Sequence, residues 1–144
     1  MVVFCDTSVL VAGCVRHHPH FPRARAVLES VAGKQDEGHV SCHTLAELYS
    51  ALTSLPVTPR LLPAEAERMI DTNVRPHFRL IRVTNAMYGR AVSACVARSL
   101  TGGKVYDALL LECARTAGCQ RIYTFNVRDF RDLAPDLAEL IVAP

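Results

Sequence analysis

The chain has 144 residues, half of them hydrophobic, with 16 basic and 14 acidic side chains and a formal net charge of +2. This length fits one domain over residues 1–144, and the apolar content is too high for a disordered chain. No apolar run approaches the roughly 18 residues of a membrane-spanning helix, and Asp6 interrupts the first one almost at once. We therefore expect a cytoplasmic protein with no membrane segment. The six cysteines form no C-x-x-C pair, which fits free thiols in a reducing compartment.

The predicted elements alternate between strands and helices. In chain order we predict strand 2–5, helices 8–15 and 23–32, strand 38–42, helices 44–54 and 63–73, strand 78–83, helices 84–100 and 104–117, strand 121–125, a short helix 127–133 and strand 139–142. Such alternation is typical of a three-layer α/β domain with a mostly parallel sheet, here of about four or five strands. In helix 84–100 we expect these side chains on the buried side: Met87, Ala91, Ala94, Cys95 and Val96.

Acidic side chains stand at three junctions between these elements. Asp6 directly follows the first strand, and Glu47 lies in the first turn of the helix after the second strand. Asp107 lies in the first turn of the helix that precedes the strand RIYTF. In open α/β sheets functional groups collect outside the carboxyl ends of the strands. The pattern therefore indicates that these carboxylates could share one end of the sheet.

Each acid also has a purely structural interpretation. Asp6 could cap the following helix, a contribution of about 1 kcal/mol. Thr44 and Glu47 match a capping box, in which the glutamate reaches back to the first amide of the helix. Asp107 could simply offset the helix dipole in the first turn. Spacing alone does not separate these interpretations from a shared site.

Three converging carboxylates would have a definite chemistry. Without a partner they repel one another, and a hard divalent cation removes that cost. Oxygen ligands with no supporting His or Cys favour Mg²⁺ or Mn²⁺ over zinc. A metal in such a site lowers the pKa of a bound water and stabilises charge on phosphoryl oxygens. The pattern therefore predicts phosphodiester hydrolysis without a covalent enzyme intermediate.

Four segments together resemble the PIN-domain family. They are VVFCDTSVLVA, SCHTLAELYSAL, GGKVYDALLLECARTAGC and RIYTFNVRDF, in the family's order and over nearly the whole chain. PIN domains of this size are mostly toxins of VapC type, each paired with a small antitoxin. The resemblance thus implies a PIN-like α/β/α fold and a metal-dependent endoribonuclease that cuts structured RNA, often transfer or ribosomal RNA. It also implies a homodimer.

The resemblance also implies roles for individual residues. Asp6 and Asp107 would bind Mg²⁺ directly, with Mn²⁺ as an alternative. Glu47 would bind a metal or orient the attacking water. Thr7 would support the site by hydrogen bonding.

The fourth acidic position of the family departs from the usual pattern here. Asn126 stands where many relatives carry Asp, and a neutral ligand weakens any second metal site. Asp129, three residues later, could supply the missing charge or could cap the short helix that follows. We therefore expect a one-metal site rather than a two-metal site.

Other polar and aromatic residues near the motifs have open roles. We expect the histidine cluster, in the segment RHHPHFP, to form a solvated loop, and His43 to approach the site without a settled role. Tyr49 and Tyr106 flank the acids in sequence and are interpreted as packing residues. Four arginines could contact RNA phosphates or simply lie on a solvated surface: Arg82, Arg121, Arg128 and Arg131.

Two other function classes compete with the nuclease. A haloacid-dehalogenase-like phosphatase would need Asp-x-Asp at the first strand, but position 8 is Ser. A PIN-like fold could also bind RNA or a protein without cutting, and Asn126 is the feature that favours this alternative.

Overall fold

Five parallel strands form one sheet in the computed structural model, which describes residues 1–144. The strands are β1 (Val2–Cys5), β2 (Glu37–Ser41), β3 (Phe78–Ile81), β4 (Arg121–Tyr123) and β5 (Ile141–Val142). Their order across the sheet is β3-β2-β1-β4-β5, and every neighbouring pair is parallel. The prediction of a mostly parallel sheet of four or five strands is confirmed.

Seven helices cover the two faces of this sheet. They are α1 (Thr7–Cys14), α2 (Phe21–Ala32), α3 (Cys42–Thr53), α4 (Pro63–Asn73), α5 (Asn85–Ala97), α6 (Lys104–Ala117) and α7 (Val127–Leu133), followed by a 3₁₀ helix at Pro135–Leu140. None of these helices is long and apolar enough to span a membrane.

Alternation along β1 divides the core into two layers. Val3 and Cys5 pack with buried side chains of α1 to α4, whereas Phe4 packs with those of α5 to α7. Successive side chains of a strand point to opposite faces, so a continuous apolar run places apolar groups in both layers. All three side chains are fully buried. This arrangement is the three-layer α/β/α architecture that the sequence predicts.

Close packing at β2 requires a residue without a side chain. A Cβ atom on Gly38 would lie 2.5 Å from Cγ1 of Val31 and 2.7 Å from the ring of Phe78. The glycine thus allows α2 and β3 to approach the strand from two sides.

The element boundaries differ from the predictions in a few places. The helix predicted over 84–100 ends at Ala97, and Ser99 beyond it has a positive φ of 53°. The predicted buried side of that helix is right for Met87 and wrong for Val96, which is 73% exposed. A period of about 3.6 residues per turn places Val96 on the opposite side of α5 from Met87. The final strand is also shorter than predicted, because residues 135–140 form the 3₁₀ helix.

Candidate active site

The order of the strands creates a crevice at the centre of the sheet. The chain leaves β1 toward β2 on one side, whereas β4 pairs with β1 on the other side. Such a point, where strand order reverses, is where open α/β sheets form their ligand crevice, outside the carboxyl ends of the strands. Asp6 follows β1 and Thr124 follows β4, so both lie at this point.

Asp6 is buried and held by two hydroxyl groups. The residue is only 4% exposed. Oδ2 accepts hydrogen bonds from Ser8 Oγ at 2.6 Å and from Thr124 Oγ1 at 2.8 Å. The backbone amides of Phe125 and Asn126 donate in turn to these two hydroxyl oxygens, at 3.3 and 3.0 Å. The loop after β4 therefore fixes the orientation of Asp6 and leaves Oδ1 without a protein donor.

The structure rules out two of the capping interpretations. Asp6 occupies the position before α1, but its side chain makes no capping hydrogen bond. Helix α3 begins at Cys42, and Ser41 caps it by accepting from the amide of His43 at 3.1 Å. The capping box of Thr44 and Glu47 is therefore wrong, because Thr44 already lies inside the helix. Asp107 does lie in the first turn of α6, where the dipole interpretation also placed it.

Glu47 projects from α3 into the same region. Its Oε1 is buried without a hydrogen-bond partner. His43 Nε2 lies 3.4 Å from this oxygen, which is close enough for an ion pair but not aligned as a hydrogen bond. Burial, and then the charge of Asp6, raise the pKa of Glu47 to about 7.

Asp107 is coupled to the same charges from the other side of the sheet. Burial and the charge of Asp6 raise its pKa to about 6, Glu47 and Asp129 add to this effect, and Lys104 opposes it. Asp6, Glu47 and Asp107 come from three separate junctions, and each of the latter two responds to the charge of Asp6. The structure thus brings the three predicted acids together.

The remaining predicted site residues are less directly engaged. Asp129 forms an ion pair with Lys104, and Asn126 is exposed at the start of α7 without a side-chain capping bond. Thr7 is buried, but its Oγ1 has no hydrogen-bond partner. The hydrogen bonds that the sequence assigned to Thr7 come instead from Ser8 and Thr124. Thr124 is recognised as a site residue only because the ends of β1 and β4 meet in the structure, and sequence spacing does not reveal this contact.

The donor set fits a hard cation in an open site. No group of three or more His, Cys, Asp or Glu side chains is arranged so that it could hold a metal ion. However, Asp6 Oδ1 lacks a protein donor, and Glu47 Oε1 is buried without a hydrogen-bond partner. Mg²⁺ usually retains several waters and takes only one or two carboxylates, so it does not need a closed protein cage. The oxygen atoms present are therefore compatible with such an ion.

Aromatic side chains flank the acids in a way that the sequence did not predict. His43 stacks on Tyr106, with ring centroids 5.4 Å apart and an interplanar angle of 12°. Tyr106 is 51% exposed and Tyr49 is 42% exposed, so neither is part of the buried core, and Tyr106 packs against His43 at the surface. Tyr49 directly follows the buried Leu48, and adjacent helical residues face different directions.

The histidine cluster is also not a simple solvated loop. His17 is exposed, but His18 and His20 are half-buried. The ring of His20 stacks on Phe125, with centroids 4.5 Å apart and an interplanar angle of 19°. The loop between α1 and α2 therefore contacts the loop after β4, beside the residues that hold Asp6. No sequence signal indicated this contact, because its two partners lie far apart along the chain.

Two of the four candidate arginines are directed away from the acids. Arg131 donates to the carbonyl oxygens of Ala138 and Ile141, at 3.1 and 2.8 Å, and so holds the 3₁₀ helix and β5 in place. Arg121 begins β4, at the amino end of the sheet, which is opposite to the crevice. Arg82 and Arg128 are exposed.

Comparison with known proteins places this chain in a family. The model of the PIN domain matches residues 3–135, so the chain belongs to the PIN-domain family. Within it, the chain is similar to ribonucleases of VapC type. It is 35% identical to Ribonuclease VapC40 of Mycobacterium tuberculosis over 136 residues, which cover 88% of this chain and 85% of the relative. It is 34% identical to Ribonuclease VapC27 of the same species over 105 residues, or 73% of this chain and 71% of the relative.

Solved structures share the fold at low sequence identity. VapC20 of Mycobacterium tuberculosis, a toxin that cleaves the sarcin–ricin loop, superposes with a TM-score of 0.69 at 20% identity and covers 93% of this chain and 94% of its own. VapBC2 of Rickettsia felis, bound to a DNA fragment from its promoter, gives a TM-score of 0.66 at 19% identity, with 98% and 96% coverage. FitAcB of Neisseria gonorrhoeae gives 0.65 at 17% identity, with 99% and 96% coverage.

Proposed function

We propose that this chain is a Mg²⁺-dependent endoribonuclease and the toxin of a toxin–antitoxin pair. Its substrate is structured RNA, such as transfer or ribosomal RNA, and its reaction is hydrolysis of a phosphodiester bond. One observation carries the proposal: Asp6, Glu47 and Asp107 converge where the strand order reverses, and burial together with the charge of Asp6 raises the pKa of both Glu47 and Asp107. The names of the similar VapC40 and VapC27 support the ribonuclease activity.

The three acids would have different roles in the reaction. Asp6 and Asp107 would hold the Mg²⁺, for which Mn²⁺ could substitute. When bound, the ion supplies an activated water and stabilises charge on the phosphoryl oxygens. Glu47, whose pKa of about 7 matches neutral pH, orients the attacking water and accepts its proton. Ser8 and Thr124 keep Asp6 in place during the reaction.

The proposed partners follow from the same relatives. Similar chains were solved as the VapBC2 and FitAB assemblies on DNA, which supports a cognate antitoxin for this chain. An arginine of an antitoxin would pair well with the carboxylates of the site, because guanidinium and carboxylate groups form strong charge-assisted hydrogen bonds. The cytoplasm is the compartment in which its RNA substrates would be met.

A homodimer is also part of the proposal, and α5 offers a surface for it. Tyr88, Val92 and Val96 are 49%, 52% and 73% exposed, and they recur every four residues on one side of the helix. An exposed apolar stripe of this kind is typical of a contact between proteins. Light scattering would show a dimer for the wild type and a monomer for Val96→Lys if this stripe is the contact.

One alternative function keeps a specific observation in its favour. Asn126 is neutral and exposed at the family's fourth acidic position. A PIN-like module that binds RNA or a protein without cutting would tolerate this change. The experiment below separates the two functions.

The test is cleavage of a pool of total transfer and ribosomal RNA by the purified protein. Reactions contain Mg²⁺, Mn²⁺ or EDTA, and the variants are Asp6→Asn and Asp107→Asn. Asp71→Asn is the matched control, since Asp71 is an exposed acid on α4. Metal-dependent cuts by the wild type and the control, absent in both folded site variants, would support the nuclease. Equal cutting by all proteins, or none by the wild type, would contradict it.

A further inference from the structure

A pocket of about 580 Å³ lies directly beside Asp6. Its walls come from α1, from the loop between α1 and α2, from α3 and from the loop after β4. The side chains that matter here are Thr7, Ser8, His18, His20 and Phe125. Its volume falls within the range of pockets that bind small molecules.

The pocket is joined to the proposed catalytic centre through α1. Ser8 lines the pocket and also donates the hydrogen bond of 2.6 Å to Asp6 Oδ2. Thr7 follows Asp6 in the chain and lines the pocket as well. The Thr7 side chain is 8% exposed, and its Oγ1 has no partner within the protein. Thr7 therefore contributes a buried hydroxyl group without a protein partner to the wall between the pocket and the acids.

The opposite part of the pocket is aromatic. His20 stacks on Phe125, and the ring of His18 lies 5.7 Å from the ring of His20 at an angle of 48°. The guanidinium carbon of Arg23 lies 5.8 Å from the centroid of Phe125, and its Nη2 is 2.9 Å from Nδ1 of His20. These contacts hold the rings in fixed positions, with the guanidinium group of Arg23 over the ring of Phe125.

This combination of groups suits a nucleobase. Unpaired RNA bases are recognised by stacking on aromatic or histidine rings and on arginine, together with hydrogen bonds to their polar edges. Burial, and then the neighbouring His20, lower the pKa of His18. Nδ1 of His18 accepts a hydrogen bond from the backbone amide of His20 at 3.1 Å, so Nε2 is the ring nitrogen that can donate to a base. No carboxylate lines the pocket to repel an RNA chain.

We propose that this pocket binds the base of the nucleotide next to the scissile phosphate. His18, His20 and Phe125 are then specificity-determining residues, and the pocket selects where the RNA is cut. The inference rests on the proposed nuclease function, since the acids define which phosphate is scissile. A splayed-out base in the pocket places its own phosphate near Asp6.

The first test is a double-mutant cycle between the RNA base and the ring of His20. Cleavage sites are mapped on the RNA pool, and a short single-stranded RNA with one mapped site is made with an abasic residue on either side of the cut. For the wild type, removal of one of the two bases should lower kcat/KM about 5- to 150-fold, the range for stacking of one base on an aromatic side chain. For His20→Leu and Phe125→Leu, removal of the same base should have little further effect.

Controls separate this role from a structural one. His17→Leu changes an exposed histidine of the same loop that does not line the pocket. It should respond to the abasic substrates as the wild type does. A variant that merely distorts the site would lower kcat/KM for intact and abasic RNA by the same factor, and that result would overturn the proposal. Unchanged rates and an unchanged base preference in His20→Leu and Phe125→Leu would also overturn it. That result would favour a protein side chain as the occupant of the pocket.

The second test does not require cleavage. The four nucleoside 5′-monophosphates are titrated into metal-free protein, and the imidazole signals of the histidines are followed by NMR. At least one nucleotide at millimolar concentration should shift the signals of His18 and His20 but not those of His17. Absence of such shifts, or equal shifts on all three rings, would overturn the proposal. A protein that binds a nucleotide in this way but cuts no RNA would retain the base pocket and lose the nuclease function.

Discussion

Burial of the Glu47 charge, together with its repulsion by Asp6, should make the metal-free protein less stable than it would be without that charge. Glu47→Gln is the sharpest perturbation, because the amide has the same shape but no charge. Burial and Asp6 raise the pKa of Glu47 from 4.5 to about 7, which corresponds to about 3 kcal/mol at roughly 1.4 kcal/mol per pKa unit. The side chain is 30% exposed, and solvent screening of a partly exposed charge reduces the effect, so we expect about 1–2 kcal/mol.

The sign of the pH dependence follows from the raised pKa. The folded carboxyl group of Glu47 holds its proton more tightly than the unfolded one, so its contribution favours folding at low pH. That contribution is lost as pH rises from about 4.5 through about 7. At pH 8 in EDTA, Glu47→Gln should therefore raise the free energy of unfolding by about 1–2 kcal/mol. For a chain of 144 residues this is an increase in Tm of about 3–7 °C.

Thermal and urea unfolding at pH 4.5 and pH 8 measure this effect. Glu67→Gln is the matched control, because Glu67 is an exposed helical glutamate on α4 with no ion pair. Its substitution should leave Tm within experimental error at both pH values. Added Mg²⁺ should stabilise the wild type, because a ligand that binds only the folded state shifts the unfolding equilibrium. A variant Glu47→Gln that is equally or less stable than the wild type at pH 8 would refute the reasoning.

Three further substitutions test other parts of the structure. Thr124→Val removes a buried hydroxyl that donates to Asp6, and urea unfolding should show a loss of about 1.5–3 kcal/mol, with Thr124→Ser as the control. Lys104→Met removes the charge that lowers the pKa of Asp107, so the acidic limb of the pH–rate profile should move to higher pH, whereas Lys104→Arg should not move it. Gly38→Ala forces a methyl group to 2.5 Å from a valine methyl, and overpacking should lower stability by about 1–3 kcal/mol.

For each of these three substitutions, one result would contradict the stated expectation. Equal stability of the Val and Ser variants at position 124 would show that the hydroxyl does not hold Asp6. An unchanged acidic limb in Lys104→Met would show that Asp107 does not titrate in the rate. A Tm of Gly38→Ala equal to that of the wild type would show that the strand can move away from its neighbours.

The predictions from sequence succeeded where the cause was local. An apolar run followed by Asp6 is enough to predict a buried strand and a carboxylate at its end, because alternation and burial act within a few residues. The alternation of strands and helices likewise predicts the parallel sheet, and this sheet brings Glu47 and Asp107 to the same crevice. The convergence of the three acids at one end of the sheet could therefore be predicted from the sequence.

The contacts that could not be predicted from the sequence join segments that lie far apart in the chain. Thr124 donates to Asp6, and Phe125 stacks on His20. Neither contact has a periodic or spacing signal, because each depends on which strand ends meet in the sheet. For the same reason Thr7 was assigned a supporting hydrogen bond that Ser8 and Thr124 make instead.

The most direct test of the central claim is a count of bound Mn²⁺ by electron paramagnetic resonance. The claim is that Asp6 and Asp107 hold one metal ion, with Glu47 beside it. At pH 8 the wild type and Asp71→Asn should each bind one Mn²⁺ per chain, and excess Mg²⁺ should displace it. Asp6→Asn and Asp107→Asn, shown to be folded, should each lose this binding. Undiminished Mn²⁺ binding in both site variants would contradict the claim, and the acids would then have to act without a shared metal.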